Sequence, residues 1–201
     1  MAFDRDQFDA NYYARHYAHA KVHDQQRLGG LVAGIMGFAA WWRVPVRSVL
    51  DVGAGTGGIG KALAVDHPAV RYRGTDISRH ACSAYGHKHA DIATWSPKRA
   101  YDLTICLSVL QYLDDTRCEA AVANLAQATR SLLYLEVVTP WDRKHAIDVA
   151  HTDMNVYWRS GALYRAMLKR HFRQVGAGLW ARHGAPIVLF DLEAARPALD
   201  H

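Results

Sequence analysis

Asp51 stands two residues ahead of Gly53 in the run Val49-Leu50-Asp51-Val52-Gly53-Ala54-Gly55-Thr56-Gly57-Gly58-Ile59-Gly60, which places five glycines in eight positions. A backbone that turns from strand to helix while touching a ligand needs residues without a Cβ. The helix that starts at such a turn aims unpaired N–H groups at whatever sits there. The segment therefore reads as a cradle for a nucleotide-type cofactor. Gly53, Gly55 and Gly58 satisfy G-x-G-x-x-G, the dinucleotide fingerprint. Asp51 argues for a different ligand, because a carboxylate at that point repels a pyrophosphate and suits a group carrying positive charge. Asp76 and Asp91 follow at the ends of extended segments, where a carboxylate can accept from hydroxyl or amino groups.

Other side chains could move protons or wall a pocket. His16, His151, Asp153 and Glu136 are candidate general bases. Trp141, Tyr157 and Trp158, with Arg159 beside them, fall in a stretch rich in large side chains and could wall a second ligand. Cys106, between Ile105 and Leu107, reads as core. His80, His87 and His89 have no fourth ligand nearby and read as surface histidines, so no metal site is expected.

The elements that must position these groups follow from periodicity and punctuation. Phe8, Tyr12, Tyr13, Tyr17 and Ala20 recur at helical spacing. A second helix covers residues 24–42 and breaks at Arg43-Val44-Pro45. A strand over 48–52 leads into the glycine turn and a helix over 58–65. A strand over 70–75 ends in Asp76, and Ser78 caps a short helix. Residues 91–93 read as a brief extended piece. A strand over 101–108, a polar helix over 115–129 and an apolar strand over 131–138, closed by Thr139-Pro140, come next. Ser160 caps a last helix, and residues 173–180 and 187–192 pair as a hairpin across Arg182-His183-Gly184. Strands alternating with helices imply an α/β fold, a mostly parallel sheet covered on both faces, with the final hairpin antiparallel.

With 201 residues, half of them apolar, the chain is expected to form one domain with a proper core. No apolar run approaches the ~18 residues of a membrane span. The first nine residues carry Asp4, Asp6 and Asp9 without an apolar stretch and do not read as a signal peptide. Cys82, Cys106 and Cys118 lack C-x-x-C spacing, which fits a reducing, cytoplasmic setting. The formal charge is +5, but the basic residues are scattered, so nucleic-acid binding is not expected. A monomer or homodimer is expected.

Asp51-Val52-Gly53-Ala54-Gly55-Thr56-Gly57 resembles the first motif of the class I S-adenosylmethionine-dependent methyltransferases, an acidic residue followed by G-x-G-x-G. Gly74-Thr75-Asp76-Ile77-Ser78 resembles the end of that family's second strand, where a carboxylate binds both ribose hydroxyls. Ala90-Asp91-Ile92 resembles its adenine-contacting segment. Residues 101–113 resemble the fourth strand and its exit, with Tyr112 where many relatives place His, and the final hairpin resembles the reversed seventh strand. The resemblance implies a Rossmann-like, doubly wound, seven-stranded sheet with helices on both faces. It implies S-adenosylmethionine as cofactor and S-adenosylhomocysteine as product. The implied cofactor contacts are Tyr12 and Tyr17 from an N-terminal lid, then Asp51, Gly53, Ala54, Gly55, Thr56 and Gly57. Asp76, Ile77, Asp91, Ile92 and Ser108 complete that set. Residues 1–44 would form the lid, 45–138 the cofactor-binding core, 139–160 an acceptor-side cover, and 161–201 the C-terminal helix and hairpin.

Methyl transfer from a sulfonium is an in-line displacement, so the protein must align the partners and exclude water. His16, Tyr112, His151 and Asp153 are the expected catalytic groups, and Trp141, Tyr157, Trp158 and Arg159 the expected acceptor contacts. No [DN]-P-P-[YFW] follows the fourth strand and no Pro-Cys pair is present, which speaks against adenine-N6 and cytosine-C5 chemistry. A small-molecule acceptor, aromatic or from specialised metabolism, is expected, with an RNA or protein methyltransferase or a non-catalytic cofactor-binding module as alternatives. A nicotinamide-dependent oxidoreductase is opposed by Asp51 and by the lack of a Tyr-x-x-x-Lys pair.

Overall fold

Among the described residues, seven strands form one sheet in the order β3-β2-β1-β4-β5-β7-β6. The computed structural model describes residues 7–17, 24–149 and 151–194. The strands are β1 (Ser48–Val52), β2 (Arg71–Asp76), β3 (Lys88–His89), β4 (Tyr101–Leu107), β5 (Thr129–Glu136), β6 (Phe172–Gly176) and β7 (Leu179–Arg182). All pairings are parallel except those of β7, which runs antiparallel to β5 and β6. The strand order reverses between β1 and β4, so the crevice for a ligand opens at their carboxyl ends.

The helices are α1 (Ala10–Tyr17), α2 (Gln25–Trp41), α3 (Gly58–Asp66), α4 (Arg79–Tyr85), α5 (Asp115–Ala128), α6 (Pro140–His145) and α7 (Gly161–Leu168). The central strands are largely apolar because both of their faces are covered. Leu50, Val52, Cys106, Leu133 and Leu135 pack on one face with α5 and α7. Val49, Leu103, Ile105, Leu132 and Tyr134 alternate with them and pack beneath α2 and α3. Asp102, at the opposite end of the sheet from the crevice, accepts from Ser48 Oγ at 2.9 Å and Arg47 N at 3.0 Å and pairs with Arg130. The Asp24, Ser78, Asp114 and Ser160 side chains each accept from a first-turn N–H and start α2, α4, α5 and α7.

Three expected elements are corrected. The C-terminal hairpin exists, but it turns at 177–178 and not at Arg182-His183-Gly184. Ala177 (φ 48°) and Gly178 (φ 80°) take the left-handed backbone that a tight reversal needs. Residues 187–192 do not join the sheet. Only Ile187 of this segment is buried, while Val188, Phe190 and Leu192 are exposed. Residues 91–93 form a turn, because Thr94 and Trp95 N–H both donate to Asp91 O, and the neighbouring strand is Lys88–His89. Thr139-Pro140 closes β5 and also opens α6. Thr139 and Asp142 make a reciprocal capping box there, with proline at the first helical position. Among the described residues no helix is long and apolar enough to cross a membrane.

Candidate active site

The glycine loop is lashed to the end of β2. Gly53 N and Ala54 N both donate to Thr75 O, at 2.8 and 3.0 Å. Gly53 has φ 71°, and a Cβ there would lie 2.2 Å from Val109 Cγ2, so a side chain is excluded twice over. Gly55 (φ 54°) donates its N–H to Asp76 Oδ2 at 2.9 Å, and Ser78 N donates to Asp76 Oδ1 at 2.8 Å. The Asp76 carboxylate is thereby held rigidly against the loop.

A cavity of about 700 Å³, open at its mouth, lies over this loop. Gly53, Gly55, Asp76, Ile77, Asp91 and Ile92 contribute to its floor and one side. Asp91 Oδ1 accepts from Ala93 N at 3.0 Å, and its Oδ2 pairs with Arg117 at 2.8 Å, so the residue is both a turn former and a fixed charge at the cavity. A second cavity of about 860 Å³ is lined by His16, Thr56, Gln111, Glu136, His151 and Asp153 among others. Tyr12, Tyr17, Ser108 and Tyr112 line both and form the wall between them.

That wall is tightly built. The Tyr12 and Tyr112 hydroxyls are 2.9 Å apart, and the Phe8 ring meets both of their rings edge-on with centroids 5.0 Å away. The His16 ring lies 4.6 Å from that of Tyr12. Ser108 has φ 53°, unusual for a residue with a side chain and typical of strained functional positions. Its N–H donates to Glu136 O at 2.8 Å and its Oγ to Glu136 Oε1 at 3.3 Å. Burial, followed by the Tyr112 hydroxyl and other neighbours including Asp153, pushes the Tyr12 phenol up. Burial and then Asp153 do the same to Tyr112. Burial, Asp76 and Asp153 raise Tyr17 to about 12. None of these phenols ionises near neutrality.

Asp51 lies behind the loop and lines neither cavity. It is 2% exposed and accepts from Tyr72 Oη at 2.8 Å. Burial raises its carboxyl to about 7, against the lowering effect of that hydrogen bond. Ala54 and Gly57 likewise shape the loop without lining a cavity. His89 is exposed, as expected, and His87 is half-buried, but both bond backbone. His87 Nε2 is 3.0 Å from Gly55 O, and His89 Nε2 is 2.9 Å from Ile77 O, so both brace backbone beside the first cavity. Among the described residues no cluster of His, Cys, Asp or Glu could hold a metal ion.

The expected acceptor contacts are placed elsewhere. Trp141 is 64% exposed and stacks on His145, one turn along α6. Trp158 lies under Arg143, and Tyr157 donates its backbone N–H to Gln111 O. Arg159 is 4% exposed, with Nε on Asp115 Oδ1 at 2.7 Å and its remaining nitrogens on the carbonyls of Leu110 and Leu113. None of the four lines either cavity. Phe8, Gln111 and Val109 take up wall positions that the sequence reading passed over, since only folding brings 8–12 against 109–112.

Residues 50–131 match the model of a family described as a methyltransferase domain. No curated protein matches the sequence. Among solved structures, a sugar N-methyltransferase from Streptoalloteichus is 20% identical, with TM-score 0.53 over 66% of this chain and 55% of that one. The magnesium protoporphyrin IX methyltransferase of Synechocystis, solved with bound S-adenosylmethionine, is 18% identical, with TM-score 0.61 over 90% and 98% of the two chains. An amino pentose methyltransferase from Micromonospora echinaspora is 14% identical, with TM-score 0.60 over 88% and 98%. At these identities the likeness is one of fold. The domain match spans the glycine loop, Asp76 and Asp91, and the chain around it has the Rossmann-like fold of S-adenosylmethionine-dependent methyltransferases.

Proposed function

We propose that this protein transfers a methyl group from S-adenosylmethionine to a small-molecule acceptor and releases S-adenosylhomocysteine. The observation that carries the reading is the pair of cavities meeting at one wall of Tyr12, Tyr17, Ser108 and Tyr112. The first cavity fits the cofactor. Its floor is bare backbone at Gly53 and Gly55, which allows close approach, and Asp76 keeps lone pairs on both oxygens for ribose hydroxyls. In this reading Asp91 and Ile92 contact the adenine, and Asp51 stands as a buried carboxyl behind the loop. The bound cofactor supplies a methyl carbon already activated by its sulfonium.

The chain's part is to position and to exclude water. The aromatic wall fixes the approach between the two cavities, and α1, as the inner part of a lid, closes over it. His16, Asp153 and His151 are the groups available to take a proton from an acceptor, and Tyr112 orients through its hydroxyl. The segment 139–160 covers the second cavity through Ile147, His151, Thr152 and Asp153. The sugar and amino pentose methyltransferases of like fold support a small acceptor.

Incubation with methyl-labelled S-adenosylmethionine and separated small-molecule, RNA and protein fractions of a cell extract tests this. Label is expected in the small-molecule fraction. Label confined to RNA or protein would contradict the acceptor class.

A further inference from the structure

The second cavity has an acidic lining. Its ionisable lining is Glu136 and Asp153 with His16, His151 and the wall tyrosines, and among the described residues no lysine or arginine lines it. Gln111 lines the same cavity, is 2% exposed, and keeps its Oε1 buried without a hydrogen-bond partner. A buried acceptor oxygen of this kind is costly until a donor reaches it. Two carboxylates and a lone carbonyl oxygen together ask for a ligand rich in N–H donors and positive in charge.

We propose that the methyl acceptor is an aliphatic amine, whose N–H groups are met in the second cavity by Asp153, Glu136 and Gln111. The inference rests on the methyltransferase reading of the site and adds the chemical class of the substrate. Carboxylate or phosphate acceptors are repelled by the same pair of charges. A phenol is disfavoured for a reason the protein displays on its own side chains. Tyr12, Tyr112 and Tyr17, in the wall of this cavity, are held protonated by burial first and then by neighbours that include Asp153. An acceptor phenol placed among them would feel the same field and lose nucleophilicity.

An amine responds in the opposite sense. It binds as an ammonium, and one N–H proton passes to the His16 imidazole. The freed nitrogen lone pair attacks the methyl carbon, the N–C bond forms, and the S–C bond breaks with its electron pair retained by sulfur as a neutral thioether. Positive charge has then moved onto the acceptor nitrogen, where Asp153 and Glu136 stabilise it more than they stabilised the neutral amine. The methylated nitrogen departs as an ammonium, and His16 returns its proton to water.

Calorimetric titration of the full chain, saturated with S-adenosylhomocysteine, separates the possibilities. The probes are 2-phenylethylamine and glucosamine, each set against its neutral and anionic counterparts, 2-phenylethanol with phenylacetate and glucose with glucuronate. At least one amine is expected to bind about tenfold or more tightly than both of its counterparts. Asp153→Asn is expected to remove about that margin and leave S-adenosylhomocysteine binding intact. If circular dichroism shows that this variant does not fold, Glu136→Gln carries the same expectation. Failure of S-adenosylhomocysteine to bind would remove the methyltransferase reading and this proposal with it. Normal S-adenosylhomocysteine binding, with neither amine bound at millimolar concentration or with an alcohol or carboxylate bound as well, would overturn the amine assignment alone.

Discussion

Asp76 joins two requirements in one side chain. Its oxygens take the N–H groups of Gly55 and Ser78, which fixes the glycine loop, and the same carboxylate lines the first cavity. Asp51 is different: it is sealed behind the loop with one hydrogen bond from Tyr72, and burial carries its carboxyl to about 7. In the unfolded chain that group titrates near its ordinary value of about 4. The folded state therefore binds the extra proton between about pH 4 and 7, and stability contributed by Asp51 falls as pH rises through that window, then stays level. Urea unfolding as a function of pH should show Asp51→Asn gaining stability relative to the parent across that window. A difference that does not change with pH would mean that Asp51 titrates normally in the folded protein. The sequence made the identities of Asp51, Asp76 and Asp91 legible, because each sits at a strand end beside a turn signal. It did not reveal that Asp51 lies behind the loop, since that depends on Tyr72 reaching it from β2.

At the scale of elements, local signals were the most legible. Ser78 and Ser160 cap the helices expected of them, and the glycine run joins β1 to α3. The misread hairpin shows where local signals fail. The sequence offers two glycine-containing turns a few residues apart, and only pairing of β7 with β5 decides that 177–178 is the reversal. Arg159 shows the same limit. Its neighbours suggested a pocket, yet the guanidinium ties the carbonyls of Leu110 and Leu113 to Asp115 at the start of α5. Asp115 is largely exposed, so the ion pair itself contributes little, and the carbonyl bonds carry the effect. Arg159→Ala leaves the buried Leu113 carbonyl without its partner, while Leu110 O keeps the Leu113 N–H, and is expected to cost roughly 1–3 kcal/mol in denaturant unfolding. Unchanged stability together with weakened acceptor binding would return Arg159 to the acceptor pocket.

The whole molecule is a sheet whose reversal point opens a crevice, and whose N-terminal helix crosses back over it. The doubly wound architecture was readable because buried parallel strands are apolar runs spaced by helices. The partition into two cavities was not, since its wall joins Tyr12 to Tyr112 across a hundred positions of chain. In the proposed function the first cavity holds the adenosyl cofactor on the glycine loop and Asp76. Titration calorimetry with S-adenosylhomocysteine tests it most directly. Saturable binding at a single site is expected, weakened by roughly 1–3 kcal/mol in Asp76→Ala because ribose hydroxyls lose their acceptor. No heat of binding at high micromolar ligand, or wild-type affinity in the folded variant, would contradict it.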